Sequence, residues 1–204
     1  MVQKPTYSMP HRRRRELRTN YNKRAASVVS GIPRMVVRTS SKHTTVQFIQ
    51  ARIEGDQTLA SAKSTELEKF NWKYGGGNLP AAYLTGILAG SRALEKGIQN
   101  AILDIGVQRV TKGARIFSAL KGAVDAGIEI PHKKEITPED SRIKGEHIAA
   151  YAKQLSPDAE RYKAQFSRYL SKKLTPEDIP SSFEKTREKI AGPEKKPLKK
   201  SDKK

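Results

Sequence analysis

Four consecutive arginines, Arg12, Arg13, Arg14 and Arg15, stand near the start of the chain, with His11 before them and Arg18, Lys23 and Arg24 behind. A guanidinium is a planar fork of N–H donors that fits a phosphate in a bidentate way, and its plane stacks on nucleobases. Tyr7 and Tyr21 add aromatic rings to the same stretch, the platforms on which unpaired bases stack. Adjacent arginines repel one another, and Glu16 is the only acid near enough to offset them. A solvated surface helix or a localisation signal would use similar letters. Nucleic-acid contact is the favoured reading of the segment.

A second group is Arg38-Thr39-Ser40-Ser41-Lys42-His43. Arg38, Ser40, Lys42 and His43 supply cations, a hydroxyl and an imidazole, all able to donate to a phosphate or a ribose hydroxyl. An ordinary polar hairpin would look the same on spacing alone. Gly75-Gly76-Gly77 precedes a helix start but lacks the G-x-x-x-x-G-K-[ST] pattern of a phosphate loop, so a flexible loop is expected. Trp72 and Tyr74 beside it read as core anchors, with base stacking as the rarer use.

Catalysis finds little support. Asp104 and Asp125 are the carboxylates worth testing for a magnesium-dependent nuclease, and two are too few for the usual oxygen-rich site. His11, His43, His132 and His147 have no metal-ligand spacing. With no cysteine there is no disulfide, no thiol nucleophile and no Cys-ligated zinc. No catalytic residue, metal or cofactor is expected.

The elements that must position these residues follow from hydrophobic period and punctuation. A helix is expected over Glu16 to Val29, with Leu17, Tyr21, Ala25 and Val28 at helical spacing. Strands are expected over Arg34 to Thr39, Thr45 to Ile53 and Gln57 to Ala62, forming an antiparallel meander. Thr65 to Glu68 has capping-box spacing for a short helix. A long helix over Leu79 to Lys96 starts at N-cap Asn78, and its Gly86 and Gly90 would allow close packing against a sheet. A strand over 101–105, a helix over 114–126 and a short strand over 128–131 come next. Thr137-Pro138, Ser156-Pro157 and Thr175-Pro176 then announce three helices, each with a hydroxyl N-cap and acids in the first turn. The fold class is α/β: a mixed sheet, from an antiparallel meander plus helix–strand units, packed with helices, with a basic N-terminal extension and a helical C-terminal region.

The 204 residues carry a formal net charge of +19, distributed unevenly. Residues 1–52 hold 12 basic and 1 acidic residue, 53–184 hold 19 and 17, and 185–204 hold 9 and 3. The excess is therefore +11, +2 and +6 along the chain. The expected organisation is a basic RNA-binding arm (1–30), an α/β core (31–135), a helical region (136–190) and a disordered lysine-rich tail (191–204). No apolar run reaches the ~18 residues of a membrane span. A soluble, intracellular protein with a polyanionic partner is expected. So is an arm that is extended and protease-sensitive before it meets that partner.

The order of PHRRRRELRTNYNKR, PRMVVRTSSKH, DQTLASAKS, GNLPAAYLTGILAGSRALEKG, AILDIG and LKGAVDAGIEIPH resembles one family. It is the universal eighteenth protein of the large ribosomal subunit, in its archaeal and eukaryotic form. The resemblance covers residues 4–155, without clear family words at Gln108 to Lys112. It implies a non-enzymatic, cytoplasmic 5S ribosomal RNA binder in the central protuberance, with large-subunit ribosomal RNA and neighbouring ribosomal proteins as further partners. It implies neither a membrane nor a small-molecule substrate. By matching positions it implies RNA contacts at Arg12 to Arg15, Tyr21, Arg24, Arg38, Ser40, Lys42 and His43; Arg18 and Lys23 join them on charge. A basic RNA-processing nuclease and a general nucleic-acid-binding module are the alternatives on composition.

Overall fold

The computed structural model describes residues 8–191. Tyr7 and, apart from Ala191, the expected lysine-rich tail lie outside the described residues. Strands β1 (Arg34–Thr39), β2 (Thr44–Gln50), β3 (Gln57–Lys63) and β4 (Ile102–Asp104) form one mixed sheet in the order β3-β2-β1-β4. β1–β2 and β2–β3 pair antiparallel, as the meander requires, while β4 lies parallel to β1. A parallel neighbour needs a crossover. It is supplied by α3 (Leu79–Glu95), which with α4 (Arg115–Asp125) covers one face of the sheet.

Side chains alternate across a strand, so Met35 and Val37 of β1 and Val46 and Phe48 of β2 enter the core. Arg34, Val36 and Arg38 take the opposite face. Asn78 caps α3 through its side chain, which accepts from Ala81 N at 2.9 Å. α3 is buried nearly all round because the sheet, α4 and later helices enclose it. Its glycines serve α4, not the expected sheet. A Cβ on Gly86 would stand 2.1 Å from Ala119 O, and one on Gly122 would stand 2.2 Å from Tyr83 O.

Several expected boundaries move for local reasons. The helix expected over Glu16 to Val29 starts later, as α2 (Tyr21–Val29), and a separate turn of helix, α1 (Arg12–Arg15), precedes it. Leu17 turns to φ 54°, and Asn20 restarts the helix by accepting from Lys23 N. The described part of the arm is thus two short helices and not the extended segment expected. β2 stops at Gln50 after an irregularity between Phe48 and Ile49. The first capping box closes two residues earlier than its Thr65 spacing, with Glu66 accepting from Lys63 N at 2.9 Å, and the helix it opens, Ser64–Phe70, is 3-10. The segment 128–131 makes one bridge, Asn100 to Glu129, and no strand.

The helical C-terminal region comprises α5 (Asp140–Lys144), α6 (Glu146–Leu155), α7 (Ala159–Leu170) and α8 (Ile179–Ala191). Of the three hydroxyl caps only Thr175 takes its expected place, opening the 3-10 turn Pro176–Asp178 before α8. Thr137 closes the preceding turn by donating to Lys134 O at 2.7 Å, and Ser156 ends α6. Asp158 caps α7 instead, accepting from Arg161 N at 3.2 Å. A carboxylate at that position satisfies an orphan N–H and complements the helix dipole together. α8 returns to α3, where Phe183 packs on Tyr83 with ring centroids 5.6 Å apart.

Candidate nucleic-acid interface

The arm presents its cations outward. α1 buries no residue, and Arg12 to Arg15, Arg18 and Lys23 are all exposed. Glu16 lies 3.6 Å from Arg12 and 3.2 Å from Arg18. Arg13 donates to Thr19 Oγ1 at 2.9 Å. Among the described residues no carboxylate pairs with Arg13, Arg14, Arg15 or Lys23. Such a surface attracts anions, because these four cations stand on it without a neutralising carboxylate. Tyr21 is half-buried, its ring 5.1 Å from that of His11 at a tilt of 49°.

Arg24 does something different. Its guanidinium donates to Asp56 Oδ2 at 3.0 Å, and Arg34 donates to the same oxygen at 2.8 Å. Arg34 then reaches Asp104 Oδ2 at 3.0 Å, and Arg38 reaches Asp104 Oδ1 at 3.2 Å. Three arginines and two aspartates so form a ladder running from the arm across the outer face of the sheet. The helical face excludes charge, which is why Arg34 sits on the other side; even there it is only 4% exposed. A buried guanidinium is tolerated because two carboxylates face it. Sequence reasoning missed Arg34 and Asp56. An arginine opening the run Met35-Val36-Val37, two positions before Val36 and four before Arg38 on the same face, was the available signal.

Asp104 is therefore a structural acceptor, as its additional bond from Gly106 N at 2.8 Å confirms. Asp125 accepts from the Tyr83 hydroxyl at 2.6 Å. Burial, with that hydrogen bond to Asp125, pushes the Tyr83 phenol far above its usual range. Among the described residues no three His, Asp or Glu side chains gather as metal ligands would.

The Ser40–His43 turn links β1 to β2. Ser40 Oγ accepts from His43 N at 3.0 Å and donates to His43 O at 3.1 Å, which closes the turn. Lys42 projects freely, and His43 is half-buried with Nδ1 3.4 Å from Ser64 Oγ. The glycine loop packs under this turn and is not the flexible loop expected. A Cβ on Gly77 would stand 2.5 Å from Ser41 O, and one on Gly76 would stand 2.7 Å from Ser64 Oγ. Arg115, absent from the expected site, ties the two loops together by donating to Ser40 O and Gly77 O, each at 2.8 Å. Trp72 is 1% exposed and Tyr74 donates to Thr175 O at 2.9 Å, so both anchor the core.

The expected residues thus divide in two. Arg13, Arg14, Arg15, Lys23 and Lys42 have no carboxylate partner among the described residues, and Arg12 and Arg18 share the exposed Glu16. Arg24 and Arg38 are committed to carboxylates, and Ser40 and His43 shape a turn.

A family model described as "Ribosomal large subunit proteins 60S L5, and 50S L18" matches residues 5–100 and 95–133. The chain belongs to this family. It is a structural ribosomal protein of the large subunit and not an enzyme. A relative named large ribosomal subunit protein uL18 from Desulfurococcus amylolyticus is 50% identical over 191 residues, covering 93% of this chain and 97% of its own. Proteins of the same name from Aeropyrum pernix and Halobacterium salinarum are 57% and 48% identical, over 74% and 76% of this chain and 71% and 85% of theirs. The Desulfurococcus match extends the family likeness through most of the helical C-terminal region. Among the described residues no helix is long and apolar enough to cross a membrane.

Proposed function

We propose that this ribosomal protein binds 5S ribosomal RNA and helps attach it in the central protuberance of the large subunit of cytoplasmic ribosomes. Large-subunit ribosomal RNA and neighbouring ribosomal proteins are its other partners. The observation that carries the reading is the four-arginine helix α1, wholly exposed, with one acid to offset it.

The arm, residues 1–30, works by charge. Arg12 to Arg15, Arg18 and Lys23 replace condensed counterions along the RNA backbone, and release of those ions drives association. Tyr21 offers a ring to an unstacked base. The Ser40–His43 turn works by shape: Arg115 and the glycine loop fix its backbone, and Lys42 stands at its tip as the phosphate contact. Arg24 and Arg38 engage RNA by exchanging a carboxylate for a phosphate, so each contributes less than a free arginine. The body stays close to neutral, which confines the attraction to these two surfaces.

The test is a competition at about 0.15 M salt, near physiological ionic strength. The full chain should prefer 5S RNA over duplex DNA and over unrelated structured RNA. Equal affinities for all three would refute the reading.

A further inference from the structure

We infer that a groove between the arm and the loop after β4 is a slot for a single unstacked RNA nucleobase. Its walls come from segments 90 residues apart in sequence: Leu17 and Tyr21 from the arm, Val107 from the loop, with Arg14 at the rim. The inference rests on RNA being the partner, and it deepens that reading by assigning one nucleotide-sized site.

Three observations converge. Leu17 is 81% exposed and Val107 is 57% exposed, although both are aliphatic and border the same groove. Leu17 also holds φ 54° where α1 ends, with Arg18 N bonded back to Arg13 O at 2.9 Å, and this turn fixes its side chain beside the groove. Two aliphatic side chains held open to water beside an aromatic ring point to a ligand that covers them. The groove contains no carboxylate, and its one charged wall is Arg14, so its ligand is flat, apolar on its faces and anionic at one end. An unstacked nucleotide has that chemistry.

The polar edge fits as well. Asn20 and Asn22 line the groove. The Asn20 carbonyl oxygen is taken by Lys23 N at 3.2 Å, leaving its amide N–H groups to donate. Asn22 is exposed and offers both a donor and an acceptor. Carboxamides of this kind pair with base edges. The far wall is fixed in place: Gln108, next to Val107, donates from Nε2 to Thr39 Oγ1 at 3.2 Å and Thr39 O at 3.3 Å. This gives Gln108, first residue of the segment without clear family words, the task of holding one side of the slot.

The experiment uses the full chain and a 5S RNA transcript. Four proteins are compared: wild type, Tyr21→Phe, Tyr21→Ala and the double variant Leu17→Ser with Val107→Ser. Circular dichroism should be the same for all, since these side chains contribute little to the core. Tyr21→Phe should keep the wild-type affinity. Tyr21→Ala and the double variant should each bind roughly tenfold more weakly, with an unchanged salt slope, because stacking and not charge is lost. Zero-length ultraviolet crosslinking should join Tyr21 to one nucleotide. If both weakened variants bind as wild type does, or Tyr21 crosslinks instead to a neighbouring protein in assembled subunits, the slot is overturned while wild-type selectivity for 5S RNA leaves the larger reading standing. If wild type itself shows no selectivity, the larger reading fails, and the slot with it.

Discussion

Gly86 of α3 lies directly against the carbonyl of Ala119 in α4: the Cβ it lacks would stand 2.1 Å from that oxygen. The contact is reciprocal, since a Cβ on Gly122 of α4 would stand 2.2 Å from Tyr83 O of α3. Both obstacles are backbone, so neither helix can yield by changing a rotamer. Gly86→Ala should therefore destabilise the fold by about 1–3 kcal/mol, the cost of overpacking. Urea unfolding checks it, and a midpoint equal to wild type would contradict the packing described.

The ladder on the opposite face predicts a different kind of loss. Asp104→Asn leaves the buried Arg34 with one carboxylate and frees Arg38. Removing one partner of a buried pair costs about 3 kcal/mol, so thermal unfolding should shift down clearly. The matching change at exposed Glu16 should cost well under about 1 kcal/mol.

Salt titration separates the free cations from the committed ones. Arg14→Ala should reduce the slope of log affinity against log salt by ~0.7–0.9, the value for one phosphate contact. Arg38→Ala should change it less, because Asp104 already neutralises that guanidinium. Equal changes would show that Arg38 leaves its carboxylate completely when RNA binds.

Arm docking can be measured without RNA. The Arg24–Asp56 pair, at 3.0 Å, and the Gln50 bond to Gly31 O, also at 3.0 Å, are side-chain ties from this region to the body. An exposed pair contributes ~0.2–1 kcal/mol, so Arg24→Ala should raise the undocked population by up to about fivefold. Trypsin should then cut within residues 12–23 faster, and 5S RNA should suppress the cleavage.

Acid should weaken the contact between the first 3-10 turn and α3. Burial raises the Glu66 carboxyl, but the hydrogen bond from Arg92, the bond from Lys63 N and the charges of Arg92 and Lys69 outweigh it and hold the group below its ordinary value of 4.5. A carboxyl lowered on folding adds stability that is present above the unfolded value and lost as pH falls through the folded one. Wild type should lose this contribution below about pH 4.5, and Glu66→Gln should lack it at every pH. Denaturation midpoints at pH 7 and pH 4 would show the difference narrowing in acid.

Much of the architecture was legible because its signals are local. Alternation gave the three meander strands, and the Asn78 cap with Pro80 placed the start of α3 correctly. Gly145 shows what was not legible. At φ 85° it separates α5 from α6 within a stretch whose apolar spacing reads as one helix. Tertiary packing decides there, as Ile179 and Pro80 crowd the position where its Cβ would be. For the site, charge was readable and commitment was not. Nothing local distinguishes Arg14 from Arg24, because the acid that claims Arg24 lies 32 residues away.

That spacing has a consequence for how the molecule is made. Synthesis runs from the N-terminus, so Arg24 emerges 32 residues before Asp56, and Arg34 and Arg38 precede Asp104 by 70 and 66 residues. Until strand β4 has been translated, the two arginines of β1 lack the carboxylate that will join them across the sheet. The growing chain therefore passes through a stage of uncompensated positive charge, open to any nearby polyanion, and each aspartate quenches part of that attraction as it arrives.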